Sequence, residues 1–186
     1  RRQKVGFDPR LHSLSWFRNT SATLAQKEIA LVALEQNPID LNWQDRPAPS
    51  KAEVMLYDEQ YCGQNCLSKR EAIASKLRQQ GLDAALLSQS ESINWLLNIR
   101  GRDIPCFPVA LCFAVIYSNV SVDCFVDTDK LNCNGFNQPV GNDVSVYPLE
   151  KLGDVLKRIG GDRLKVLADA DTTNAWSQLT LQQHGA

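Results

Sequence analysis

Hydrophobic positions along the chain fall into short runs whose lengths and spacings alternate between strand and helix. "KVGF", residues 4–7, has strand length and is stopped by Pro9 after Asp8. Ser13 or Ser15 is placed to cap a helix through "SWFRNTSATLAQK", in which Trp16, Phe17 and Leu24 share one face. "IALVALE" then reads as a buried strand. The unit is βαβ-like, and two strands with one helix cannot bury both faces of a sheet. The pattern therefore predicts the end of a domain whose earlier strands lie outside this sequence.

Residues 37–51, "NPIDLNWQDRPAPSK", interrupt the periodicity. Pro38, Pro47 and Pro49 favour extended chain over regular helix, so the stretch reads as an interdomain linker. Trp43 is expected to anchor it to a surface.

Regular pattern resumes after the linker. "SKREAIASKLRQQG" predicts a helix capped by Ser68 and Glu71, with Ile73 and Leu77 inward and Gly81 at its end. "DAALLSQ" is strand-like. "ESINWLLNI" is a short helix with Ser90 as candidate cap and Ile93, Leu96 and Leu97 inward. "PVALCFAVIY" has the composition of a central strand, followed by a two-residue "SN" turn and the paired strand "VSVDCFVD". "NDVSVYPL" and "RLKVLAD" are further strands, and Pro148 opens the helix "LEKLGDVLKRIGG". "TTNAWSQLTLQQHG" is a final helix. One hairpin among crossovers gives the fold class α/β, a mixed β-sheet flanked by helices. No internal repeat appears.

Composition narrows the function classes. Of 186 residues, 44% are hydrophobic and 22% charged, enough for a real core. A formal net charge of -1 provides no field for nucleic acid or an anionic membrane. No apolar run has transmembrane length, and the basic N-terminus lacks the apolar region of a signal peptide. The six cysteines are expected to be reduced; Cys112 and Cys124 read as small buried hydrophobes. "CGQNC" spaces Cys62 and Cys66 by three residues, unlike a thioredoxin-type motif. Only His12 and His184 are present, and no phosphate-loop, nucleophile-elbow or zinc-protease motif occurs.

Few places remain for chemistry. "NIRGRD", residues 98–103, lies between two apolar stretches. Arg100 and Arg102 can each hold a carboxylate by two contacts, Gly101 permits a positive-φ turn, and Asp103 can pair with either arginine. The competing reading is a helix end, with an arginine on its carbonyls and Asp103 neutralising it. "DPRLH" reads as a turn with a surface histidine rather than an Asp8/His12 pair. Asp169 and Asp171 in "DADTTNAW" read as a capping region, with Asp171 or Thr172 as cap, rather than a cation site. Trp95 and Trp176 read as core or interdomain anchors.

The stretch "SESINWLLNIRGRDIPCFPVALCFAVI" closely resembles the middle domain of cytosolic-type Xaa-Pro aminopeptidases. It departs at Asn94, where alanine is usual, and at Arg102, where serine is usual. "VGFDPRLHS" resembles a block near the end of that family's first domain. "NPIDLNWQDRPAPS" resembles its linker, with Pro38 and Asn42 as departures. "CLSKREAIASKLRQQGLDAALLS" resembles the opening of its second domain. The resemblance implies N-terminal domains of creatinase/prolidase type with ribonuclease-H-like topology. Residues 1–47 would be the C-terminal end of a first such domain plus the start of a linker, and residues 48–186 the second domain.

It implies that catalysis lies in a C-terminal domain absent from this chain. That domain binds two divalent metal ions, usually manganese, through two Asp, one His and two Glu. No catalytic or metal-binding residue is then expected here, and the fragment alone is expected to be inactive. The implied partners are that catalytic domain, a peptide substrate with proline at its second position, and further copies in a homo-oligomer, in the cytoplasm. The implied role is to restrict access to the active site, with Arg100 shaping the substrate entrance and Asn98 and Asp103 orienting its loop. The alternative is a stand-alone binding or oligomerisation module of the same fold without catalysis.

Overall fold

The computed structural model describes residues 3–131, 141 and 143–186; Cys133 and the first residue of "NDVSVYPL" lie outside them. A five-stranded mixed sheet carries the larger part. Its strands are β4 (Ala84–Leu87), β6 (Cys112–Tyr117), β7 (Val122–Val126), β8 (Val144–Tyr147) and β9 (Val166–Ala168), ordered β8-β7-β6-β4-β9. β6 is antiparallel to both its neighbours, while β8 and β9 extend the sheet in parallel on either side. This is the mixed, helix-flanked sheet that the hydrophobic pattern predicts.

Both faces are covered, which explains why β7 is buried at every position instead of alternating. On one face lie α4 (Cys66–Gln79) and α5 (Ser90–Leu97); Leu77, Ile93, Leu96 and Leu97 pack there on Ala114, Ile116, Val122 and Cys124. On the other lie α6 (Leu152–Gly161) and α7 (Ala175–His184); Leu156, Ile159 and Leu181 pack there on Leu86, Val115 and Phe125.

Several local expectations change. The cap of α4 is Asn65, whose side chain accepts from Ser68 N at 2.8 Å; Ser68 is already inside the helix. Helix α5 begins at Ser90 itself, whose hydroxyl instead accepts from Cys112 N at 3.3 Å. The β6–β7 turn has three residues, because Tyr117 N bonds Ser121 O and Val120 takes φ 79. Residues 108–111 are not strand: Pro108 O and Val109 O accept from Gly101 N and Asp103 N, while Ala110 and Leu111 bond side chains described below.

The first unit comprises β1 (Lys4–Phe7), α1 (Leu14–Ala25) and β2 (Ala30–Ala33), with Ser13 as the cap of α1. β1 and β2 form a two-stranded parallel ribbon. β2 is not buried as its composition suggests: α1 packs on the face that carries Phe7, nothing described covers the other, and Val32 on that open face is exposed. In the linker, Pro38 starts a short helix, α2 (Pro38–Asn42), capped by Asn37. Proline is tolerated at a first helical position, where its missing N–H has no helical partner to lose. Trp43 is 47% exposed, with the Arg46 guanidinium carbon 6.0 Å from its ring centroid.

The first unit is joined to the sheet domain by backbone hydrogen bonds. Leu14 N bonds Thr173 O, Ser15 N bonds Ala170 O, Ala175 N bonds His12 O, and Trp176 N bonds Pro9 O, all at 2.8–2.9 Å. Leu14, Thr173 and Ala175 are buried there. "DPRLHS" is thus half of a joint with the start of α7. Leu14→Ala is expected to cost about 2–4 kcal/mol. It should also expose residues 34–54 to protease before the sheet domain is cut, as read by limited proteolysis beside thermal melting.

Candidate functional site

The route from α5 to β6 is a loop buried at its base and exposed at its tip. Its base must satisfy the polar groups of a chain that has left the helix without yet joining a strand. Asn98 ends α5 in the left-handed conformation, φ 52, which asparagine adopts more readily than most residues. Its side chain accepts from Lys69 Nζ at 2.6 Å and donates to Gln64 O at 3.0 Å. Lys69, reaching across from α4, also donates to Trp95 O at 2.8 Å and lies 4.5 Å from the Trp95 ring. Burial pushes the Lys69 ammonium below its ordinary pKa, and Arg100 nearby adds to that.

Arg100 lies in β5 (Ile99–Arg100), paired antiparallel with β3 (Met55–Leu56). Its Nη1 donates to Ile99 O at 2.7 Å and to Asn94 O at 3.4 Å, and its guanidinium carbon is 4.6 Å from the Tyr57 ring centroid. The helix-end reading therefore describes these contacts: two cations from outside the helix meet the carbonyls at its C-terminus. Arg102 is exposed.

Gly101 does not use a positive φ. A Cβ there would stand 2.6 Å from Ala110 N and 2.7 Å from Ala110 Cα, so the position needs glycine for close approach. On Ala110's polar groups closes Asn94, which is 2% exposed. Its Oδ1 accepts from Ala110 N and its Nδ2 donates to Ala110 O, both at 2.9 Å. Asp103 pairs with neither arginine. Its Oδ2 accepts from Lys130 Nζ at 2.9 Å and from Leu111 N at 2.7 Å, and its side chain is 1% exposed. Burial raises the Asp103 pKa, but the Leu111 N–H and the Lys130 ammonium outweigh it and hold the carboxyl below the usual range. The tip presents Ile104 and Phe107, 40% and 44% exposed, with Cys106 between them at φ 62.

The structure thus brings Asn98 and Arg100 together at the end of α5 and places Asp103 on the outgoing limb just before the tip, against Lys130. A cleft of about 450 Å³ opens beside Asn98, lined by Leu56, Tyr57, Asn65, Cys66 and Leu97, with Asp58 and Glu59 also on it. Asn94, Lys69 and Lys130 are the residues that sequence reasoning missed. Only Asn94 left a signal, as an amide on an otherwise apolar helix face.

The remaining candidates resolve into local structure. Asp8 accepts from Arg10 N and from Asn37 Nδ2, while His12 stacks on Trp16 with centroids 3.7 Å apart. Asp169 accepts from Asp171 N and Thr172 Oγ1; the cap of α7 is Asn174, not Asp171 or Thr172. Cys62 closes α3 (Glu59–Cys62) and Cys66 opens α4. None of the five described cysteines forms a disulfide. Trp95 is 49% exposed, so it is no core anchor. Among the described residues no group of three or more His, Cys, Asp or Glu side chains is arranged to hold a metal ion.

A mixed sheet between helix pairs, with a polar loop entering its central strand, defines the class as an α/β domain. The profile of the Creatinase/Prolidase N-terminal domain matches residues 45–186, and the chain belongs to that family. It is 36% identical over 149 residues to a probable Xaa-Pro aminopeptidase P of Aspergillus niger, which covers 80% of this chain and 24% of that protein. Against the probable Xaa-Pro aminopeptidase P of Aspergillus fumigatus it is 30% identical over 162 residues, 87% of this chain and 24% of the relative. The crystal structure of X-prolyl aminopeptidase from Caenorhabditis elegans, described as a cytosolic enzyme with a di-nuclear active site, superposes with a TM-score of 0.83 at 26% identity. That match covers 94% of this chain and 29% of the nematode chain. The chain therefore spans about a quarter of the length of the curated relatives it matches.

Two outcomes test the loop's base. Gly101→Ala is expected to lose about 2–3 kcal/mol in denaturant unfolding, since backbone, not a flexible side-chain end, stands in the way. Asp103→Asn strands a buried ammonium and should cost about 3 kcal/mol at neutral pH. The depressed Asp103 pKa stabilises the fold above the unfolded carboxyl value. That contribution is lost as pH falls through the folded value, so the gap between wild type and variant should close in the acid range of a pH series.

Proposed function

We propose that this chain is the non-catalytic N-terminal portion of a metal-dependent Xaa-Pro aminopeptidase, which removes the N-terminal residue preceding proline. The observation that carries this reading is the superposition of 94% of the chain onto 29% of X-prolyl aminopeptidase. In it, residues 1–47 end a first creatinase-N-like domain and begin a linker, and residues 48–186 form the second domain. The open face of the β1–β2 ribbon favours that division, because parallel strands are ordinarily covered on both sides.

The chemistry belongs to a C-terminal catalytic domain that is this chain's main partner and holds two divalent metal ions, manganese in our reading. The nematode relative's di-nuclear site and cytosolic description support two metals and a cytoplasmic location. The substrate is a peptide with proline second, and the parent works as a homo-oligomer. This portion restricts access to the active site. Asn98 and Asp103 hold the loop while Arg100 shapes the entrance: its hydrogen bonds within the described residues run through Nη1, leaving its other donors for a peptide carboxylate.

Assayed alone with a Xaa-Pro peptide and manganese, the chain is expected to show no turnover; appreciable turnover would overturn the non-catalytic reading. In the intact parent, Arg100→Ala should raise KM about tenfold, the size of one lost charge-assisted contact, with kcat and metal content little changed. Unaltered kinetics would remove Arg100 from the entrance.

A further inference from the structure

A second cleft lies at the joint between the first unit and the sheet domain, where none of the loop's residues reach. It measures about 390 Å³, within the range of small-molecule sites. Phe113 of β6, Leu149 and Leu152 at the start of α6, and Trp176 of α7 give it apolar walls, and Arg10 and Glu150 are its charged residues.

Arg10 comes from the turn after β1. Its guanidinium carbon lies 4.5 Å from the Trp176 ring centroid. Stacking on an indole fixes the plane of a guanidinium while leaving its edge donors outward. Among the described residues no carboxylate forms an ion pair with Arg10. The frame is set by backbone bonds on both sides of it, Trp176 N to Pro9 O and Ala175 N to His12 O, each 2.9 Å. A cation held this way needs little ordering when an anion arrives.

We propose that this cleft binds a small organic monocarboxylate carrying an apolar body. The carboxylate takes two contacts from Arg10, and the body packs among Phe113, Leu149, Leu152 and Trp176. With Arg10 as the cation and Glu150 as the anion lining it, the cleft favours a single negative charge over phosphate or a polyanion. The site stands independently of the aminopeptidase reading, since it uses no metal and none of the loop.

N-acetylphenylalanine and its uncharged amide are the probes, titrated into the 186-residue chain and followed at the Trp176 indole N–H by NMR, assigned through Trp176→Phe. With about 15 non-hydrogen atoms, the acid should bind with a Kd on the order of millimolar. The amide should bind at least about tenfold more weakly, the scale of a lost charge-assisted contact. Arg10→Ala should weaken the acid by the same factor and leave the amide and Tm unchanged. Should Arg10→Ala loosen the joint and lower Tm, Arg10→Lys supplies the comparison, since it keeps the charge but loses the two-point contact. Equal binding of acid and amide overturns the proposal. So does an acid affinity indifferent to the Arg10 variants, or no shift at the Trp176 indole up to about 20 mM acid, well past the expected Kd.

Discussion

The sheet domain depends on how residues 98–111 satisfy their backbone. The inner face of helix α5 and most of strand β6 are buried, and the chain between them belongs to neither. Water cannot serve the buried half of such a connection, so each polar group there needs a protein partner or costs about 1–3 kcal/mol. Side chains meet that demand. The Asn94 amide completes Ala110 as a neighbouring strand would, Asp103 completes Leu111, and Lys69 completes Trp95 and the Asn98 side chain. Gly101 lets the two limbs close to backbone contact. Because the base is fixed by directional bonds, the Ile104–Phe107 tip is presented without a supporting strand.

The same contacts bear on how Arg100 works. Lys69 and Arg100 are like charges meeting one helix end, an arrangement that the partial negative charge of the terminal carbonyls makes tolerable. Arg100 is also steadied by the Tyr57 ring. Capping and ligand binding are compatible for such a side chain. A guanidinium has five donors, and spending one nitrogen on carbonyls orients the rest.

Most of the fold was legible in the sequence, because its signals are local. Strand-length apolar runs, the Ser13 cap and the stop at Gly81 each follow from a few consecutive residues. What was not legible depends on partners distant along the chain. Nothing near Asp103 points to Lys130, and nothing near Asn98 points to Lys69, since only the fold brings those helices and turns together. Residues 108–111 look like strand by composition, yet Gly101 N and Asp103 N take the carbonyls of Pro108 and Val109, and an amide on α5 and a carboxylate in the loop take Ala110 and Leu111. Gly101 was legible as a required glycine but for the wrong cause: the steric partner is Ala110, not its own φ. Asn65, three residues before Ser68, caps instead, accepting from Ser68 N and so starting the helix a turn earlier.

The joint between the two units adds a constraint that the linker does not impose. Residues 34–54 carry three prolines and a half-exposed Trp43, which makes them look like the hinge. Yet the orientation of β1, α1 and β2 on the sheet domain is set by backbone bonds between residues 9–15 and 170–176, with Leu14 buried among them. A hinge motion would have to break those bonds together and expose Leu14, whereas the linker has only to span the distance. The two units are therefore joined through residues 9–15 and 170–176 and not by the linker alone. Anything that seats on the β1–β2 ribbon reaches the sheet domain through α7, not through the proline-rich segment.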